Sequence, residues 1–306
     1  MIKSILQKTF LSEPGVKSVS KLVLVICLVF SSNLLADPEQ ARPGFSSFGL
    51  GFNSIDYEEN SARVIAGRRV DVETDSIVNI AQQSGTYVSF NNDWGFYLFS
   101  SSTLGETKTE ESWEIDEIPI RTNKVSFEQQ RIAFLLSRRI NQDRHLLFGA
   151  QYNNTEFRRF GARLTPSASQ FNVTQEMLNT GTESETAFDI TFSLGFEITS
   201  LFVKPEPGWR YQIRGVLGLP VFTNISNTEV NDGESFKDGF NGFSGQLNFV
   251  YGYQFNANLF AAFFMDLALS KRNAIDRPTS DEFGITEFPE NTLVYFYPGL
   301  ALYWSF

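Results

Sequence analysis

The last fifteen residues, Thr292-Leu-Val-Tyr-Phe-Tyr-Pro-Gly-Leu-Ala-Leu-Tyr-Trp-Ser-Phe306, restrict the fold more than any other stretch. Trp304, Leu302, Leu300, Phe296 and Val294 recur at every second position. Ser305, Tyr303, Ala301, Gly299 and Tyr297 occupy the alternate places. A period of two is the signature of a β-strand, whose successive side chains point to opposite faces. One face of this strand is greasy enough to meet lipid, and the other is small or amphipathic.

The same rhythm repeats along the chain. Phe48, Leu50 and Phe52 form a first strand, and Val78, Ile80, Val88 and Phe90 share the parity of a second. Trp94–Thr103 is a third; Ile132, Phe134 and Leu136 mark a fourth, and Phe148, Ala150 and Tyr152 a fifth. The clearest alternation carries Phe188, Ile190, Phe192, Leu194, Phe196 and Ile198 on one face. Segments near 209–219, 243–253 and 259–269 precede the terminal strand. Asn91-Asn-Asp93, Asn141–His145, Pro205-Glu-Pro-Gly208 and Asn256-Ala-Asn258 read as short turns. Between them lie long polar stretches, including an acidic one from Glu106 to Asn123. The stretch 56–76 is compatible with a loop, a strand extension or a short helix.

This predicts a closed antiparallel transmembrane β-barrel of ten strands, or twelve if 56–90 hides another hairpin. Barrels of this kind place short turns on one side and long loops on the other. Trp94, Trp209 and Trp304 then fall at one interface as an aromatic girdle, with Trp113 left in a loop.

The terminal residues Leu300, Leu302, Trp304 and Phe306 resemble the C-terminal strand of Gram-negative outer-membrane β-barrels. That resemblance implies recognition by the barrel-assembly machinery, residence in the cell outer membrane, and outer-membrane lipid and lipopolysaccharide as partners. The barrel's length is also similar to autotransporter translocators, although no passenger precedes it here. At the other end, Lys17 and Lys21 precede the nine-residue apolar run Leu22–Phe30, and Ala36 offers a cleavage site. A secretory leader over 1–36 and a barrel domain over 37–306 are expected. The single cysteine, Cys27, lies in that leader, so the exported chain uses no disulfide or thiolate metal site. The net charge of −10 argues against nucleic acid as a partner.

Candidate chemistry is sparse. Outer-membrane proteases and lipid-modifying enzymes resemble this chain in size and typically place a catalytic histidine near the outer rim. The one histidine, His145, falls in a predicted short turn at the opposite end, and no nucleophile elbow or paired-histidine motif occurs. No catalytic residue, cofactor or metal site is assigned. Arg131, Arg139, Asp189, Glu197, Arg210, Arg214 and Asp266 have the parity of a charged lumen. Hairpin geometry predicts a pair between Glu197 and Arg210 or Gln212. About ten strands leave an interior that side chains largely fill. These features favour a non-enzymatic barrel with a structural or surface-interaction role and a filled lumen. A narrow channel for small solutes and an envelope lipid-modifying enzyme or protease are the alternatives. The acidic loop residues, Glu106, Glu110, Glu111, Glu114, Asp116 and Glu117 among them, read as solvated surface.

Overall fold

A computed structural model describes residues 44–60, 64–65, 68–141, 143–174, 182–228, 235–278 and 285–306. The predicted leader over 1–36 lies outside them. Ten long strands form the wall: β1 (Phe45–Asn60), β2 (Ile77–Ser89), β3 (Trp94–Thr103), β4 (Ile118–Arg139), β5 (Arg144–Leu164), β6 (Glu183–Thr199), β7 (Gly208–Asn227), β8 (Phe243–Asn256), β9 (Leu259–Arg272) and β10 (Glu290–Ser305). Each pairs antiparallel with the next, and β10 returns to β1 in register from Phe45↔Ser305 to Asn60↔Glu290. The ten-strand ring therefore has no free edge, which is the condition for strands to cross hydrocarbon.

Alternation sorts the side chains. Leu217 and Leu300 are 73% and 71% exposed on the outward face, in a continuous belt with Phe192, Leu194, Phe263 and Leu302. So large an apolar surface is untenable in water and natural in a bilayer. A bulge at Ile190/Thr191 lets Val221 loop out, so Leu219 and Phe222 both face outward while Thr223 returns to the lumen.

Three of the four short turns are built by asparagine. Asn91 Oδ1 accepts from the backbone N–H of Asp93 and of Trp94, each at 2.9 Å. Asn141 and Asn256 do the same for Asp143 (3.2 Å) and Asn258 (2.8 Å). Such turns satisfy backbone donors locally and reverse the chain in few residues.

Gly51 and Gly299 face each other where β1 meets β10. A Cβ on Gly51 would stand 2.1 Å from the Pro298 carbonyl oxygen, and one on Gly299 2.4 Å from the Phe264 ring. The pair lets the wall close beneath an inward aromatic ring.

Several long stretches are more ordered than their polarity suggests. β4 has 22 residues and β5 has 21. At about 3.3 Å per residue and a tilt near 40°, such strands rise roughly twice the ~25 Å apolar band. The wall thus continues outside the membrane. The stretch 56–76 extends β1 to Asn60, adds a small pairing of Val64–Ile65 with Arg68–Arg69, and ends in the strand Asp71–Thr74. The acidic segment read as a loop is a strand, Thr109–Ile115, turning through Asp116 and Glu117 into β4. Asp71–Thr74 joins it to β1. Trp113 is accordingly not in a loop but buried in a second core with Val70, Val72, Ile115, Ile120 and Phe171. Further out, Ile275–Pro278 pairs with Ile285–Phe288, and Ser235–Asp238 pairs with β7.

Candidate functional site

Among the described residues, buried polar side chains concentrate on the inward face of the wall. The floor of the lumen, at the end of the short turns, is aromatic. Phe45 packs on Tyr87, Tyr97, Phe202 and Tyr303 with ring centroids 5.5–6.2 Å apart. Phe202 comes from the turn between β6 and β7, held in the left-handed region (φ 55°) so that Leu201 and Phe202 fold back into the barrel. His145 also points inward here, 5% exposed, bonded through Nδ1 to the Ser137 hydroxyl at 2.9 Å. It is the second residue of β5 rather than part of the turn, because the strand already begins at Arg144, two residues earlier than expected.

Directly above the floor the lumen is crossed. Arg214 reaches Glu197 Oε2 with Nε at 2.8 Å and a terminal nitrogen at 2.7 Å, and Gln212 donates to the same oxygen at 3.0 Å. Tyr97 on β3 donates its hydroxyl to Oε1. Arg214 lies 4.0 Å over the Phe99 ring. The expected pairing of Glu197 with Gln212 is present, but that with Arg210 is not. Register sets Glu197 opposite Arg214, so Arg210 falls near the turn, where it donates to the Glu206 carbonyl at 2.7 Å.

The other charged positions do not join this cluster. Arg139 donates to the Asn141 carbonyl at 2.7 Å, beside the short turn. Asp266 accepts from Asn248 at 2.7 Å and Asp189 from Thr223 at 2.6 Å. Arg131 donates to Asn153 at 3.2 Å and lies 5.4 Å over Tyr295. The seven residues are all turned inward, yet Glu197–Arg214 is the one ion pair among them.

A second crossing, outside the membrane, went unread in the sequence. Arg159 on β5 donates to Glu59 of β1 at 2.6 Å and to Glu111 of the outer hairpin at 2.8 Å, with Glu183 3.8 Å away. Glu111 Oε1 also accepts from Trp113 Nε1 (2.7 Å) and Asn123 (2.9 Å). Glu111 is therefore buried at 1% exposure, not solvated with its acidic neighbours. Burial disfavours the Arg159 cation, but Glu111 and Glu59 more than reverse this and hold its pKa well above the ordinary guanidinium value. The available signal was parity: Phe157 and Arg159 continue the inward phase of Gln151, Asn153 and Thr155. Among the described residues no group of acidic, histidine or cysteine side chains is arranged to hold a metal ion.

On the outside, Trp94, Trp209 and Trp304 all lie at the short-turn end. Trp209 stacks on Tyr251 at 5.1 Å, and Arg138 lies 5.7 Å over Trp94. Leu300, Leu302, Trp304 and Phe306 share the outward face of the terminal segment, 44–71% exposed.

No protein-family model and no curated relative matches the sequence. Similarity is found among solved structures. The outer membrane protease OmpT of Escherichia coli superposes with a TM-score of 0.61 at 10% identity, over 90% of this chain and 100% of that one. The chain is an outer-membrane β-barrel. That barrel class also contains the NalP autotransporter translocator domain of Neisseria meningitidis (TM-score 0.35, 7% identity, 93% and 96% covered). OprG of Pseudomonas aeruginosa is another (TM-score 0.33, 12% identity, 88% and 98% covered). The last two superpose too poorly to bear on the strand arrangement. The outer-membrane β-barrel fold is shared by proteases, adhesins and channels, so the fold does not choose among them.

Proposed function

We propose that this outer-membrane β-barrel is a non-enzymatic protein with a structural or surface-interaction role and a lumen that does not conduct. The observation that carries this reading is the crossing Tyr97–Glu197–Arg214, seated directly on the aromatic floor. A ten-stranded wall leaves no wide pore once charged pairs and rings are fixed across it. Its partners in this reading are outer-membrane lipid and lipopolysaccharide along the apolar belt, and the barrel-assembly machinery at the terminal strand.

Hydrolysis is the less favoured reading. OmpT is a protease, but the single histidine here lies at the short-turn end against Ser137 and Tyr87, far along the strand from the outer rim. A general base must reach its substrate before its pKa matters.

Planar-bilayer recording of the refolded chain tests the proposal. The expected trace shows no stable conductance in molar salt; a large, steady step would overturn it. Incubation with lipopolysaccharide, phospholipid and a peptide library tests the enzymatic alternative, with no cleavage expected.

A further inference from the structure

The outer half of the lumen is not filled. Beneath the Arg159 bridge lies a cavity of about 80 Å³, and nearer the Arg214 pair a second of about 50 Å³. Both are lined by Arg131, Gln151, Val216 and Gln246, so they are neighbouring parts of one hollow region of the lumen. Ser270 lines the larger part and is exposed, so solvent reaches it. A water molecule requires roughly 10–15 Å³ of such space, so the larger part alone accommodates on the order of six waters, the bulk of one sugar ring.

The lining is unusual in what it leaves unpaired. Gln129 is 7% exposed, and its Oε1 has no hydrogen-bond partner. Arg272 is 9% exposed; a terminal nitrogen donates to Glu185 at 2.9 Å, while its Nε has no partner. A buried acceptor or donor without a partner costs about 1–3 kcal/mol, which a bound polar group recovers. The lining charges balance: Arg131 and Arg272 stand against Glu185 and Asp189. A ligand bearing net charge therefore gains nothing overall. Tyr57 and Phe157 stack with centroids 4.6 Å apart and border the hollow. They add flat apolar surface to a lining that is otherwise largely polar, with Gln129, Gln151, Asn153 and Gln246 supplying amides.

We propose that this hollow binds a neutral, polyhydroxylated solute the size of a single hexose. Such a molecule offers both donors and acceptors to Gln129 and Arg272, and a C–H face to the rings. The site requires no conduction through the barrel.

Isothermal titration of the full-length protein in detergent tests the proposal, using glucose, galactose and mannose to 50 mM, with glucosamine and glucuronate as charged probes. At least one hexose is expected to bind once per barrel and more tightly than either charged sugar. Gln129→Leu is expected to weaken that binding tenfold or more, and Ser244→Phe, which fills the hollow, to abolish it. Should Gln129→Leu fail to fold, as judged by gel mobility without heating, Ser244→Phe decides. No saturable heat with any hexose, tighter binding of a charged sugar, or unchanged affinity in a folded variant would each overturn the proposal. The first of these would leave the hollow holding water only.

Discussion

The Tyr97 hydroxyl donates to Oε1 of Glu197 from three strands away around the ring, while Arg214 holds the other carboxylate oxygen from the neighbouring strand. One carboxylate thus ties β3, β6 and β7 together, with Glu197 and Tyr97 fully buried. Removing one partner is therefore costly in proportion to the charge left behind. Glu197→Gln leaves Arg214 buried without its anion and is expected to lower unfolding stability by about 3–5 kcal/mol. Tyr97→Phe removes one bond to a charged group and is expected to cost about 1.5–3 kcal/mol. Urea titration in liposomes measures both, and equal losses would contradict the assignment of Arg214 as the dependent charge.

The Arg159 bridge makes a separate prediction because it lies outside the bilayer. Arg159→Met takes the facing cation from Glu59 and Glu111, each under 9% exposed. The expected loss is again about 3–5 kcal/mol, but confined to the outer hairpin. Limited proteolysis should cut near Asp116 and Glu117 while the apolar belt stays folded. Uniform unfolding of the whole wall would show that the two halves are not independent.

Tyr57 supplies a pH dependence. Its strand neighbours Asp56 and Glu58 point outward, so it stands beyond the lipid belt. Burial, then the nearby Glu59, raise its phenol well above the ordinary value. An unfolded tyrosine ionises near pH 10, so above that point the unfolded chain releases a proton that the native chain keeps. The stability Tyr57 supports is present below about pH 10 and falls as pH rises, by up to about 1.4 kcal/mol per unit. The slope should be shallower in Tyr57→Phe; identical slopes for the two proteins between pH 10 and 11 would refute this.

The belt is testable with one residue. Leu300 is 71% exposed on the outward face. Leu300→Arg is expected to cost about 2–4 kcal/mol if it sits near the midplane, whereas Leu300→Ser at a solvated surface would cost almost nothing. Unfolding in bilayers of matched thickness gives the difference.

Much of the wall could be read in advance because a strand inside lipid has a local code. Phe188 to Ile198 must alternate wherever one face meets hydrocarbon and the other a polar lumen, and no distant residue alters that. The code fades where the wall leaves the membrane. There both faces are wet or protein-covered, so Thr109–Ile115 reads as an acidic loop and the apolar alternation of β5 is traceable only from Phe148 to Tyr152. Glu111 is the clearest case: among six acidic neighbours nothing local marks the one that meets an arginine 48 residues on.

The amino-acid order alone therefore determined the strand period, a ring of ten or twelve strands, the parity of Glu197, Arg214 and Asp266, and the end of the barrel that carries Trp94, Trp209 and Trp304. Tertiary structure decided which inward groups meet. Arg214 rather than Arg210 takes Glu197, Phe202 turns back as a floor, and Gln129 and Arg272 are left facing a hollow. Parity is a property of one strand, while partners across a lumen depend on the stagger of all ten, a closure condition that no single segment encodes.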